Sequence, residues 1–530
     1  MTVGVQLGIV VGYLLLALAV GLVAYRLADR TAEDFYLAGR TLGTVVLLFT
    51  TFATLLSAFT FFAGPNLAYA YGPEWILVMG LMDGIIFAIL WYAIGYKQWL
   101  LGRQRGYVTL GEMLGDRFGS RGLRGFVAGV SLLWLFPYVM LQQAGAGTAL
   151  EALTEGAIPY AAGAALITLF MILYVVVAGM RGIAWTDTLQ GAFMLVTTWA
   201  AAAWVLASVG GPGAATDALA ASEVGSEFLA LGTDYYTPQW MLSTAITIGF
   251  GVAMFPQVNQ RFFAAGSKTV LKRSFALWPI LCVLLFVPAF MLGAWGRGLG
   301  VPVPDGGNVL PVILGEYTPA WFAALVVAGA MAAMMSSSDS MLLSGSSYFT
   351  RDLYRPLVAS LGRDLSTRRE DLLARAGVVC FALATFVASL YNPATLFELG
   401  NAAFSGFAQL ALPVLVALYW RGTTRAGIVA GVAGSQAFYL ATLFRWVIVW
   451  TIGAVDAAVQ AVPILGPVLG GFSPALVTVV TTVVRDSYLG WTPGIVGMLL
   501  GLVLTVGVSV LTSPAAAEER TLYFERLRAD

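Results

Sequence analysis

Hydrophobic positions along this chain fall in long runs, and polar positions gather between them. Thirteen runs are long enough to cross a bilayer, which takes roughly 20 apolar residues per helix. They predict helices α1 to α13 at about 3–25, 44–71, 75–100, 123–150, 158–179, 183–209, 238–264, 272–296, 321–348, 374–391, 394–419, 425–451 and 490–512. Helix is the expected form because backbone facing lipid must close its own hydrogen bonds. The polar connections alternate in character. Of the 28 Lys and Arg residues, all but Arg297, Arg445 and Arg485 fall on one side of the predicted membrane. Basic connections stay in the cytoplasm, so the N-terminus is expected outside and the C-terminus inside, in a multi-pass plasma membrane protein. Residues 452–489 break the pattern. They hold Pro, Gly and a short apolar run at 476–484, read as a re-entrant or interfacial helix or as a further pair of spans.

Composition agrees with the pattern. The 530 residues are 59% hydrophobic and 11% charged, with mean hydropathy +0.84, whereas soluble domains carry roughly a quarter charged residues. Net charge is zero, so nothing electrostatic points to nucleic acid. The chain has no His, which excludes His-based catalysis, His-ligated metals and a His proton relay. Cys282 and Cys380 lie in separate apolar runs and read as small core residues. The first run has no basic flank or small-residue cleavage site, so α1 is expected to be retained. A short charged tail follows Pro514, and it is expected to carry no soluble domain. The acidic connection 210–237 is expected to be solvated. Thr109-Leu-Gly-Glu112 fits a capping box on a solvated connecting helix.

Some polar positions lie inside the apolar runs, where they are costly and face a cavity, an ion or another helix. In α9, Ala330-Met-Ala-Ala-Met-Met-Ser-Ser-Ser-Asp-Ser340 puts Ala333, Ser336, Ser337 and Ser340 on one helical face, with Asp339 at its edge. Hydroxyls with a carboxylate are oxygen-ligand chemistry for a hard cation. Small residues also serve close helix packing, but packing needs no carboxylate. The run α2 ends its Thr- and Ser-rich stretch in Gly64-Pro65, and α7 carries Thr247-Ile-Gly-Phe-Gly-Val-Ala-Met-Phe-Pro256. These interrupted helices stand five apart in a ten-helix core, which is the sequence pointer to an inverted-repeat transporter with ion ligands at unwound backbone. Asp187 near the inner end of α6 could cap, snorkel or bind an ion. Asp83 in α3 and Glu398 in α11 have no assigned role, and Gln142 and Gln143 in α4 are expected to bond neighbouring helices. No Lys or Arg is placed at mid-membrane.

These stretches together resemble the sodium:solute symporters, which include proline, pantothenate, monocarboxylate, sialic acid and glucose cotransporters. The resemblance covers about residues 5–425. It is carried by Tyr36-Leu-Ala-Gly-Arg-Thr-Leu-Gly43, by Gly179-Met-Arg-Gly-Ile-Ala-Trp-Thr-Asp-Thr-Leu-Gln190, by Gln260-Arg-Phe-Phe-Ala-Ala265, and by Ala332 to Leu343 followed by Thr350-Arg-Asp-Leu-Tyr354. It implies an all-α polytopic fold of the LeuT type: α1 ahead of two inverted five-helix units at about 44–209 and 238–419, then additional helices at 425–512 and a tail at 513–530. It implies a sodium site made of the carbonyls of Ala53, Leu56 and Ala333 and the side chains of Ser336 and Ser337. A second sodium, found in some members, would match Asp187, Ser336, Asp339 and Ser340. Ser57, Thr60, Phe255 and Gln257 match the solute site. Leu55 stands where proline transporters carry Asp, and Leu55, Phe59 and Phe255 are apolar for a hexose pocket.

The expected function is therefore sodium-coupled symport of a small organic solute, an organic anion or amino acid, through the lipid bilayer, and not an enzymatic reaction. Proton coupling through Asp187 or Asp339 on the same fold is the alternative, with a polytopic membrane enzyme as a more distant one. Sodium is the expected coupling ion.

Overall fold

A computed structural model describes residues 2–26, 32–230, 232–363, 366–391, 394–461, 471, 473–513 and 523. Within them the chain is all helical apart from two isolated bridges. Eleven helices are single spans by length and composition, and two more spans are bent pairs. They fall on the thirteen predicted runs. In order, they are α1 Val3–Ala24, α2 Thr44–Leu55 with Phe59–Tyr71, α3 Ile76–Arg105, α4 Arg121–Leu153, α5 Tyr160–Val177, α6 Gly179–Val209, and α7 Pro238–Met254 with Pro256–Ala264. There follow α8 Lys268–Gly298, α9 Ala320–Ser360, α10 Leu372–Ser389, α11 Leu396–Tyr419, α12 Arg425–Leu443 and α13 Pro493–Leu511.

The bends are 62° in α2 and 57° in α7. In α7 the cause is local. Pro256 disfavours helical dihedrals at the residue before it, and Phe255 is extended at φ −58°, ψ 130°. In α2 the break is at Leu56 (φ −78°, ψ 127°) and Ser57, eight residues before the expected Gly-Pro. Gly64 instead lets the second half of α2 lie against Phe290 of α8, where a Cβ would collide with the ring. Gly251 serves α7 in the same way: a Cβ there would overlap the carbonyl oxygen of Phe404 in α11. These glycines close helix packing and are not hinges. Small residues at helix contacts are the usual device in membranes, where lipid offers side chains the same apolar surroundings as a neighbour does.

α5 and α6 join without a loop at Gly179, whose φ of +59° only glycine adopts readily. A short helix, Ala32–Leu37, packs against this corner, and Asp34 accepts from Arg181 Nε at 3.0 Å. α9 is the most enclosed helix, with every side chain from Val326 to Tyr348 buried. Cys282 is buried, but Cys380 is exposed on the outside of the bundle rather than in the core.

Three connections differ from expectation. The 210–237 segment forms helices Pro212–Ala221 and Gly225–Phe228, with Ala215, Leu219 and Phe228 buried on the bundle. The helix Leu110–Arg117 is capped by Thr109 as predicted, but it is buried rather than solvated. Its Glu112 reaches the Val108 amide (2.8 Å) and pairs with Arg124 (2.9 Å) and Arg351 (2.7 Å). The predicted α12 stops at Leu443, and Arg445–Gln460 forms a separate helix beside the short apolar helix Ser473–Val483. The charged tail lies outside the described residues except for Ser513 and Tyr523. Tyr523 bonds the Tyr107 hydroxyl at 2.7 Å and the Met113 carbonyl at 2.9 Å.

Candidate functional site

Breaking a helix leaves carbonyls of its last turn without intrahelical partners and gives that end negative character. The first half of α2 ends in this way at Leu55, deep in the bundle. The serine face of α9 meets it. Ser336 Oγ donates to the Ala53 carbonyl at 2.7 Å and to the Ala333 carbonyl of its own helix at 3.0 Å. Ser337 Oγ donates to the Leu56 carbonyl at 2.6 Å and to the Thr54 carbonyl at 2.8 Å. The structure therefore brings together Ala53, Leu56, Ala333, Ser336 and Ser337, and it adds Thr54. All six are fully or almost fully buried. The cluster offers neutral oxygens only. That suits a monovalent hard cation, which oxygen donors hold, at the negative end of a half-helix.

The other side of the break is closed by α4. Gln142 Oε1 accepts from the Ala58 amide at 2.9 Å, and the Ser57 hydroxyl accepts from the Phe59 amide at 3.1 Å. Gln143 donates to the Ala382 carbonyl of α10 at 3.0 Å. Both glutamines thus bond neighbouring helices, as expected. Ser57 also shares a 3.1 Å hydrogen bond with the Tyr138 hydroxyl, and the Tyr138 ring packs on Phe255 at the α7 break with centroids 5.1 Å apart. Two helix breaks thus meet across one tyrosine. Phe404 and Phe407 of α11 complete the aromatic wall around Phe255. Thr60 is buried one turn beyond Ser57. Gln257 is buried in the first turn of the second half of α7, and neither end of its side-chain amide has a hydrogen-bond partner among the described residues. Tyr138 was not singled out in the sequence. Its signal is modest: one hydroxyl, a helical turn before the Gln142-Gln143 pair.

Two of the residues matched to a second sodium, Asp187 and Ser340, meet a group absent from that expectation, whereas Ser336 bonds the α2 break. Arg261, in the second half of α7, is completely buried. Its Nη2 donates to Asp187 Oδ2 at 2.8 Å, Ser340 Oγ at 2.7 Å and Thr50 Oγ1 at 2.9 Å, and its Nη1 donates to the Gln257 carbonyl at 3.0 Å. Thr50 in turn donates to Asp187 Oδ2 at 2.7 Å, and Thr54 and Ser340 share a hydrogen bond of 2.9 Å. Four helices, α2, α6, α7 and α9, are tied at this point. The sequence places no Lys or Arg at mid-membrane, but Arg261 enters the bundle and joins these helices. Arg261 sits at the end of an apolar run and reads as a loop charge; only the bend in α7 turns it inward. Asp339, the residue before Ser340, is buried, and its Oδ1 has no hydrogen-bond partner among the described residues.

The two remaining carboxylates inside the runs separate. Glu398 is no membrane-buried acid. It closes a capping box with Thr395 at the start of α11, accepting from the Thr395 amide at 2.8 Å. The motif Thr395-Leu-Phe-Glu398 carried that signal. Asp83 is buried beside a small cavity walled by Leu55, Leu56, Val252, Trp278 and Phe404, and its Oδ1 has no partner.

Comparison with known proteins bears on this arrangement. A model of the sodium:solute symporter family matches residues 35–434. The sodium/pantothenate symporter of Escherichia coli K12 is 29% identical over 430 residues, covering 79% of this chain and 87% of the relative. The sodium/proline symporter of Haemophilus influenzae is 28% identical over 469 residues, covering 82% and 86%. A monocarboxylate transport permease protein of Rhizobium johnstonii is 25% identical over 438 residues, covering 81% and 86%. Among solved structures, a Na+-coupled sialic acid symporter in a substrate-bound outward-open state superposes with a TM-score of 0.71 at 19% identity, over 97% of this chain and 99% of that one. Mhp1, a nucleobase-cation-symport-1 family transporter, superposes with a TM-score of 0.52 at 17% identity, over 93% and 99%. The fold is the LeuT type of inverted five-helix repeats.

Proposed function

The chain belongs to the sodium:solute symporter family, and from that premise we propose that it imports a small organic solute together with sodium by alternating access, with its arginine-rich end in the cytoplasm. The family makes it a transporter in the membrane and not an enzyme. The observation that carries the site is the seating of Ser336 and Ser337 on the carbonyls of the α2 break. The two hydroxyls donate to those carbonyls. When sodium arrives, each hydroxyl rotates its proton away and offers a lone pair, a choice open to Ser and closed to Ala. Ala53, Leu56 and Ala333 supply the carbonyls. The ion then bridges α2 to α9 and holds the break in one geometry.

The solute is placed against that break, at Ser57, Thr60, Phe255 and Gln257, with Tyr138 between the two breaks. The second halves of α2 and α7 both begin here, so two helix N-termini supply positive character. A carboxylate suits it, and the unpartnered Gln257 amide offers a further donor and acceptor. These features favour an organic anion or an amino acid. Because sodium and solute both bear on the α2 break, each raises the affinity of the other, and linkage makes the effect reciprocal.

The test is uptake into proteoliposomes. Radiolabelled pantothenate, proline and short monocarboxylates are offered under an inward gradient of sodium, of potassium, or of protons with choline outside. Accumulation of at least one solute under sodium alone is expected. Accumulation that follows the proton gradient in the absence of sodium would overturn the reading.

A further inference from the structure

Asp83 of α3 stands apart from both the serine cluster and the Arg261 cluster. We infer that Asp83 and the small cavity it borders receive a protonated amine of the solute, so that the chain carries an amino acid and not a simple organic anion. The inference rests on the solute site proposed above and deepens it to a substrate class.

The cavity sets the size and the charge of what it takes. Asp83 is 6% exposed, and its Oδ1 has no hydrogen-bond partner among the described residues. A carboxylate left unpaired inside a membrane bundle is costly, so such a residue calls for a cationic partner. The cavity beside it holds about 20 Å³. One water needs about 10–15 Å³, so there is room for a group the size of an ammonium. Asp83 is the only lining residue with a side-chain oxygen, whereas a hard metal ion is held by several oxygens. An ammonium needs less: a carboxylate to accept its protons and aromatic faces for its charge. Phe52, Trp278, Phe286 and Phe404 supply the rings. No Lys or Arg lines the cavity, so an anionic group there would meet Asp83 uncompensated.

Position joins the cavity to the proposed solute site. Leu56, at the α2 break, and Phe404 both line it. The Phe404 ring stacks on Phe255 with centroids 5.6 Å apart and meets Tyr138 edge-on at 5.3 Å, and these are the rings at and between the two breaks. On its other side Leu56 turns its carbonyl to Ser337. A short amino acid can therefore set its carboxylate at the half-helix N-termini and its ammonium toward Asp83. The two ends of one small solute are then read by opposite charges on either side of the α2 break.

The experiment compares matched pairs of probes. Thermal unfolding of the purified full-length chain is followed in NaCl with the protein amino acids and with their deaminated counterparts, such as L-alanine against propionate and L-valine against isovalerate. At least one amino acid is expected to raise the melting temperature while its deaminated counterpart does not. Asp83→Asn is expected to keep the increment that sodium alone gives, which shows the fold and ion site intact. It is expected to bind that amino acid roughly tenfold or more weakly, the loss for a charged hydrogen-bond partner. Equal shifts from an amino acid and its deaminated counterpart would overturn the inference, as would no shift from any amino acid or undiminished binding by Asp83→Asn. If Asp83→Asn does not purify as a monodisperse protein, the matched pairs on the unaltered chain decide alone. Absence of any sodium increment in the unaltered chain would instead sink the sodium-coupled reading itself, so the two failures are distinguishable.

Discussion

Ser337 shares one hydroxyl between two carbonyls, those of Thr54 and Leu56, and all three residues are buried. Removing it strands carbonyls that the α2 break has already deprived of helical partners. Ser337→Ala is therefore expected to lower stability by about 1–3 kcal/mol, the range for a buried group left unsatisfied. It is also expected to weaken sodium binding by roughly tenfold or more, about 1.4 kcal/mol. Melting curves with and without sodium check both, because the loss of the sodium-dependent increment separates the ion from the fold. At this scale the sequence was readable where spacing alone decides. Ser336 and Ser337 are neighbours on one helical face, and their chemistry is visible before any partner is known. Arg261 was not readable. Its partners Asp187 and Ser340 are distant along the chain, and its inward direction depends on a bend two turns earlier.

At the scale of elements, the two broken helices were legible as a pair, but the cause assigned to them was only half right. Pro256 does set the α7 break. The α2 break falls at Leu56–Ser57, a site with neither Gly nor Pro, and it is held by α4 and α9 through Gln142, Ser336 and Ser337. Tertiary partners fixed it, and no local signal could show that. The glycines read as interruptions of these helices, Gly64 and Gly251, are close helix contacts instead. Gly251→Ala is accordingly expected to destabilise the protein by about 1–3 kcal/mol through overpacking of α7 on α11, measured as a lowered melting temperature. Connecting elements follow the same rule. Burial of Glu112 works against its charge, but Arg351 and Arg124 outweigh it and hold the carboxyl below its ordinary range. A depressed carboxyl contributes stability above its unfolded pKa of about 4.3, and that stability is lost as pH falls through the lower folded value. The melting temperature of the natural chain is therefore expected to fall more steeply below about pH 4.3 than that of Glu112→Gln.

Across the whole molecule, ties close both ends of the bundle. At the arginine-rich end, Arg40 donates to the Phe263 and Tyr107 carbonyls, Leu42 pairs with the chain at Ala264 and Gly266, and Gln260 donates to Ser347. At the opposite end, Asn66 bonds Asn308 and Gly307, Tyr69 bonds Val301, and Glu74 accepts from the Gly232 amide. The ion cluster lies between them on α2 and α9, so a cation there acts on the helices that both sets of ties hold. Span number was legible because bilayer thickness imposes it on any sequence. The identity of the solute was not, because the residues proposed to hold it, Ser57 and Thr60 of α2, Tyr138 of α4, and Phe255 and Gln257 of α7, come together only in the fold.

The central claim is that the α2 break and the serine face of α9 form one sodium site. Thermal unfolding of the purified chain in NaCl, KCl and choline chloride at equal ionic strength tests it most directly, with Ser336→Ala run alongside. The account predicts a melting temperature raised by sodium alone, with the increment absent in Ser336→Ala. Equal melting temperatures in sodium and potassium, or an undiminished sodium increment in Ser336→Ala, would contradict it.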